Sequence, residues 1–165
     1  MPQASLEALE QNAARVRFYR GPLEVAPGVV ATGEIPQPRP GAPEGADFCV
    51  DGACREPDPF VDEQALLIRT GRGLVVLTGC AHAGLPATLE HCRRLGGAGV
   101  FAVFVGFHLA KAIPAVLEAA VAALAAAGVA LIGPCHCTGQ RGREVLEARL
   151  PGRVRDVGCG FLWRL

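Results

Sequence analysis

Three short apolar runs, residues 73–78, 100–105 and 129–132, each end in a glycine-bearing turn that carries a histidine. Unbroken apolar runs of this length, rich in Val, Leu, Ile and Phe, predict buried strands. Helical spacing follows the first two turns closely and the third after a gap. Residues 85–95 are amphipathic and stop at Gly96-Gly97-Ala98-Gly99. Residues 113–127 are apolar nearly all round, which predicts a buried helix, and Gly128 ends it. Residues 144–150 predict a third, shorter helix, ended by Pro151-Gly152. Strand, turn and helix recurring about every 28 residues suit an α/β sheet with crossover helices.

The flanks are less regular. Residues 5–16 read as a short helix capped by Ser5, and 16–19 and 28–33 as strand-like pieces bounded by Gly and Pro. Residues 64–69 and 73–77 flank Thr70-Gly71-Arg72, a hairpin turn. Between about 36 and 59 prolines, glycines and acidic residues remove all periodicity, predicting a long loop that holds Cys49 and Cys54. Residues 153–157 and 160–164 end the chain as strand-like segments.

Composition narrows the function. The 165 residues fit one domain or a large part of one, and half of them are apolar, enough for a core. Sixteen basic and sixteen acidic residues cancel, without a run of either sign. With so few aromatics, that excludes a nucleic-acid footprint and a base-stacking platform. The most apolar stretch, residues 112–129, holds Pro114 and Glu118 and predicts a helix inside a protein rather than a membrane span. The N-terminus lacks the order of a signal peptide, and seven cysteines are an odd number. Together these predict a cytoplasmic protein with free thiols rather than a disulfide framework.

The chemistry gathers after the strands. In α/β sheets those loops open on one edge, where ligands bind, so His82, His108 and His136 are expected on a common face. His82 lies in Gly79-Cys80-Ala81-His82-Ala83-Gly84, where small neighbours let other groups approach closely. His136 lies in Pro134-Cys135-His136-Cys137-Thr138-Gly139, and imidazole and thiolate are the preferred ligands of zinc. Adjacent loop residues rarely all bind one ion, so His136 is the favoured ligand, with Cys135 and Cys137 packed around it. His108 is a ligand, an anion holder or a structural histidine. In an extended loop Cys80 falls on the same side as His82, as a ligand, a nucleophile or a small buried residue. His91 is expected on a solvated helix face beside Arg93 and Arg94. Glu34, Asp58, Asp62 and Glu63 are the carboxylates near enough in sequence to supply an oxygen ligand or base, though most acidic residues are simply solvated.

Five ordered motifs carry a family resemblance: Thr32-Gly33-Glu34-Ile35-Pro36, Asp62-Glu63-Gln64-Ala65-Leu66, Leu77-Thr78 with the His82 hexapeptide, Gly106-Phe107-His108-Leu109, and the His136 hexapeptide. From about Glu24 onward the chain resembles the dihydropterin–ribofuranosylaminobenzene phosphate synthase-like branch of the metallo-β-lactamase superfamily. The resemblance implies the C-terminal portion of an αββα sandwich, so residues 1–165 form one partial domain. It implies His82 and His136 as ligands of a divalent metal, zinc before iron or manganese, with Cys80, His108, Cys135 and Cys137 around the same pocket. It also implies hydrolysis of a small-molecule ester or phosphoester by metal-bound hydroxide. The superfamily's His-x-His-x-Asp-His motif is absent from this sequence. A hydrolase built on this chain is therefore expected to need a partner supplying the missing half. A non-catalytic His/Cys zinc module, or an inactive truncated homologue acting through dimerisation, is the alternative. A half-sandwich would also bare one sheet face and invite a second copy or a partner.

Overall fold

The computed structural model describes residues 3–36 and 48–164. Six strands form one sheet in sequence order: β1 Leu23–Ala26, β2 Val29–Ala31, β3 Ala65–Thr70, β4 Gly73–Thr78, β5 Val100–Val105 and β6 Leu131–Pro134. The first four pair antiparallel, and β3 and β4 close the expected hairpin with Thr70 opposite Gly73. From β4 to β6 the pairing is parallel, the two crossovers being α2 Leu85–Gly96 and α3 Pro114–Ala126. A short α1, Gln3–Gln11, buries no residue, and α4, Gly139–Arg149, follows β6.

Alternation along the strands sorts their side chains to two faces. Leu67, Val76, Val103 and Ile132 stand opposite one another across β3 to β6, all fully buried. This row joins Leu89 and Cys92 of α2, Leu117, Val121 and Leu124 of α3, and Leu146 of α4 in the main core. The neighbouring row, Leu66, Leu77 and Phe104, points the other way. On that face Val75, Ala102, Leu131 and, opposite Leu66, Ala31 are buried, while Ile68, Leu77, Phe101 and Phe104 are half-covered and Leu66 is exposed. The helices cover one side of the sheet; the opposite apolar face, foreseen as bare for a half-sandwich, is only partly exposed.

Several expectations change. Helix α4 begins at Gly139, five residues before the stretch 144–150 that its pattern predicts. Gly139 and Gly142 look like helix breakers, yet a Cβ on either would meet Ala110 or Leu109, so both allow a close approach. Helix α3 is not buried all round: Leu117, Ala120, Val121 and Leu124 face the core, and Ala115, Ala119, Ala122, Ala125 and Ala126 are exposed. Alanine presents too little apolar surface to force burial. Residues 16–19 form no strand, and the C-terminal pieces contribute only an isolated bridge from Val154 to Ile132. Of the long loop, residues 37–47 lie outside the described residues; beyond them Cys49 and Cys54 form a disulfide. The turn between them brings their Cα atoms to 4.9 Å, which overturns the expectation of free thiols at this pair. Cys80, Cys92, Cys135, Cys137 and Cys159 are free. Among the described residues no helix is long and apolar enough to cross a membrane.

Candidate metal and catalytic site

The C-terminal ends of β4, β5 and β6 place three loops side by side, because parallel neighbours end on one edge. Backbone bonds stitch them together: Gly106 N–H donates to Gly79 O at 3.1 Å, and Cys135 N–H to Val105 O at 2.9 Å. Side chains continue the stitching. The Thr78 hydroxyl donates to Gly106 O at 2.7 Å, and the Thr138 hydroxyl accepts from Phe107 N–H at 3.1 Å. Cys137 links all three loops, its Sγ accepting from His108 N–H at 3.2 Å and donating to Cys80 O at 3.6 Å. A Cβ on Gly106 would lie 2.7 Å from that sulfur and closer still to Gly79 O, so only glycine allows this approach.

The loops reach these positions through unusual backbone. Ala81 (φ 56°), Val105 (φ 93°), His108 (φ 49°) and His136 (φ 52°) all adopt positive φ, as does Phe60 (φ 47°) beside them. Non-glycine residues held there cost about 1–3 kcal/mol each and cluster at functional sites.

Two groupings result. Cys80 Sγ, a His136 ring nitrogen and Cys137 Sγ all lie within 4.8 Å of one another. The 3₁₀ turn His136–Thr138 presents two consecutive residues to one point, which plain loop geometry makes uncommon. Cys135 lies outside this trio. Burial pushes the Cys137 thiol up to about 11, followed by the opposing effect of its bond from His108 N–H and the raising effect of nearby Cys80. Burial, then Cys159, raises the Cys135 thiol.

The second grouping centres on His82. Its ring stacks on Phe60 at 4.2 Å between centroids and 10° between planes, and meets His108 edge-on at 4.6 Å and Phe48 edge-on at 5.4 Å. Nδ1 lies 3.2 Å from Glu63 Oε1. Positive φ at Ala81 breaks the extended path on which Cys80 and His82 would share a side, and the two take different neighbours. An open cavity of about 430 Å³ runs past Asp58, Phe60, Asp62, Glu63, Cys80 and His82. Glu63 is the member that sequence reasoning left undistinguished among four carboxylates, being nineteen positions from the histidine it touches. His91 is absent from this edge and is not a solvated helix residue: it is half-buried, with Nε2 3.3 Å from Thr32 O.

The donors suit a soft metal. Two sulfurs and an imidazole match zinc, whereas hard cations prefer all-oxygen sets.

No family model matches the chain. Over 138 residues it is 30% identical to the 7,8-dihydropterin-6-methyl-4-(β-D-ribofuranosyl)-aminobenzene-5'-phosphate synthase of Methanocaldococcus jannaschii, covering 81% of this chain and 47% of that protein. The chain thus spans about half the length of the curated relative it matches. Its structure is similar to the crystal structure of a metal-dependent hydrolase of the β-lactamase superfamily, with TM-score 0.74 and 28% identity over 90% of this chain and 57% of that one.

Proposed function

This chain has the fold of the metallo-β-lactamase superfamily, and from that premise we propose that it supplies the His/Cys side of a metal-dependent hydrolytic site. The convergence of Cys80, His136 and Cys137 at the strand ends carries the reading. In it, these three residues bind a divalent metal, zinc before iron or manganese, with His82 of the neighbouring grouping as the further ligand that the resemblance implies and His108 lining the same pocket. Bound there, the metal supplies Lewis acidity toward an ester or phosphoester. Cys80 and Cys137 give up their protons on binding, as thiol ligands do. Phe60 and Phe48 wall the pocket on the His82 side and limit water there. The M. jannaschii relative is named as the synthase of a 5'-phosphate, which supports a phosphorylated small molecule as the class of compound bound.

With the partly exposed face beyond Leu66 and Leu77, we assign the rest of the sandwich to further polypeptide carrying the missing histidine motif. We place the protein in the cytoplasm, where the thiols of Cys80 and Cys137 stay available to a metal; a reducing compartment would also open the Cys49–Cys54 bridge. The two-sulfur donor set favours a second reading, a non-catalytic zinc module, since thiolates dominate structural zinc sites.

Metal analysis of tag-free protein tests both. Expected is about one tightly held ion per chain, as one cluster of ligands requires, lost in His136→Ala and in Cys80→Ser. An empty wild type that melts like the variants would sink both readings. With metal present, turnover of a chromogenic phosphodiester after adding the complementary half separates the hydrolase from the zinc module.

A further inference from the structure

Glu63 is a carboxylate whose side chain is only 7% exposed, with no Arg or Lys bonded to it among the described residues. A buried carboxylate persists only where donors replace its water, and here all of them come from one short loop. Oε1 accepts from His82 N–H at 2.6 Å and lies 3.2 Å from His82 Nδ1, while Oε2 accepts from Ala83 N–H. The positive φ of Ala81 turns two successive N–H groups toward one point, making a backbone nest for an anion. The nest and the imidazole share one carboxylate.

Around the ring, Phe60, Phe48 and His108 fix its plane. The packing of the His82 ring on Phe60 and Phe48 does not distinguish its two nitrogens. Glu63 does: an ionised carboxylate only accepts, so a proton on the Nδ1 that lies 3.2 Å from it is favoured over a lone pair facing it. We propose that Glu63 is a positioning residue that holds His82 as the Nδ1–H tautomer, making Nε2 the atom with the lone pair. A histidine offered to a metal or to a reacting proton needs that choice made beforehand. The inference rests on the proposed metal reading only for the use of Nε2; the tautomer itself is a property of the metal-free protein.

Long-range ¹⁵N–¹H NMR on metal-free protein at about pH 8, above the ordinary imidazole range, reads the tautomer directly. Expected is Nδ1–H at His82 in the wild type and a shift toward the mixture of a free imidazole in Glu63→Ala. In metal-binding wild type, zinc affinity should fall about 10–100-fold in that variant. Nε2–H in the wild type, or Nδ1–H retained in a folded Glu63→Ala, would overturn the proposal. If Glu63→Ala does not fold, the wild-type spectrum decides alone. A protein that binds no zinc yet shows Nδ1–H lost on Glu63→Ala would refute the metal reading and leave this one standing.

Discussion

The thiol of Cys92 is fully buried on α2 against the sheet and takes no part in the histidine loops. Burial pushes it from 9.0 up to about 12. The unfolded chain ionises this thiol near its ordinary value while the folded chain keeps the proton. Its contribution is therefore whole below about pH 9 and declines as pH rises toward 12, by up to about 1.4 kcal/mol per pH unit. Urea denaturation at a series of alkaline pH values should show this fall. Cys92→Ala lowers the whole curve through its cavity but flattens the alkaline slope; an unchanged slope would contradict the assignment. At this scale the legibility of the site was uneven. His82, His108 and His136 were visible because each ends an apolar run. Glu63 was not, because its role depends on a turn at Ala81 that the sequence marks with no glycine.

Strand alternation makes a sharper claim about neighbours. Leu67 and Leu66 are adjacent on β3, yet one stands fully buried under the helices and the other on the partly exposed face. Leu67→Ala should cost about 2–5 kcal/mol in equilibrium denaturation, and Leu66→Ala within about 1 kcal/mol. Equal losses would mean that this second face is covered. Strands β3 to β6 and helices α2 and α3 were readable since their periodicity is strong and their stops are glycines. Helix α4 was read too short because its glycines serve packing against Leu109 and Ala110, a tertiary reason invisible locally. The C-terminal strands failed for the opposite cause: β-like composition at 153–164 finds only one bridge.

Taken whole, the molecule has one well-covered sheet face and one that is not. Leu66 is exposed on that second face and Leu77, Phe101 and Phe104 are half-covered, an apolar surface that a second copy or a partner would bury. Concentration-dependent sedimentation should therefore reveal self-association in the isolated chain. Leu66→Lys, at the exposed residue of that row, should weaken it at least several-fold with a smaller loss of stability than a substitution at buried Leu67. Association unchanged by the substitution would place the contact elsewhere.

The left-handed conformations at Ala81, His108 and His136 give this architecture an evolutionary bias. Each is a place where glycine would relax the chain, so substitutions that make the protein hardier are concentrated at the very loops that present the histidines and thiols. Selection for heat resistance alone would favour glycine at these positions and so erode the candidate metal edge. A lineage that keeps non-glycine residues at these positions is being held there by use of the site.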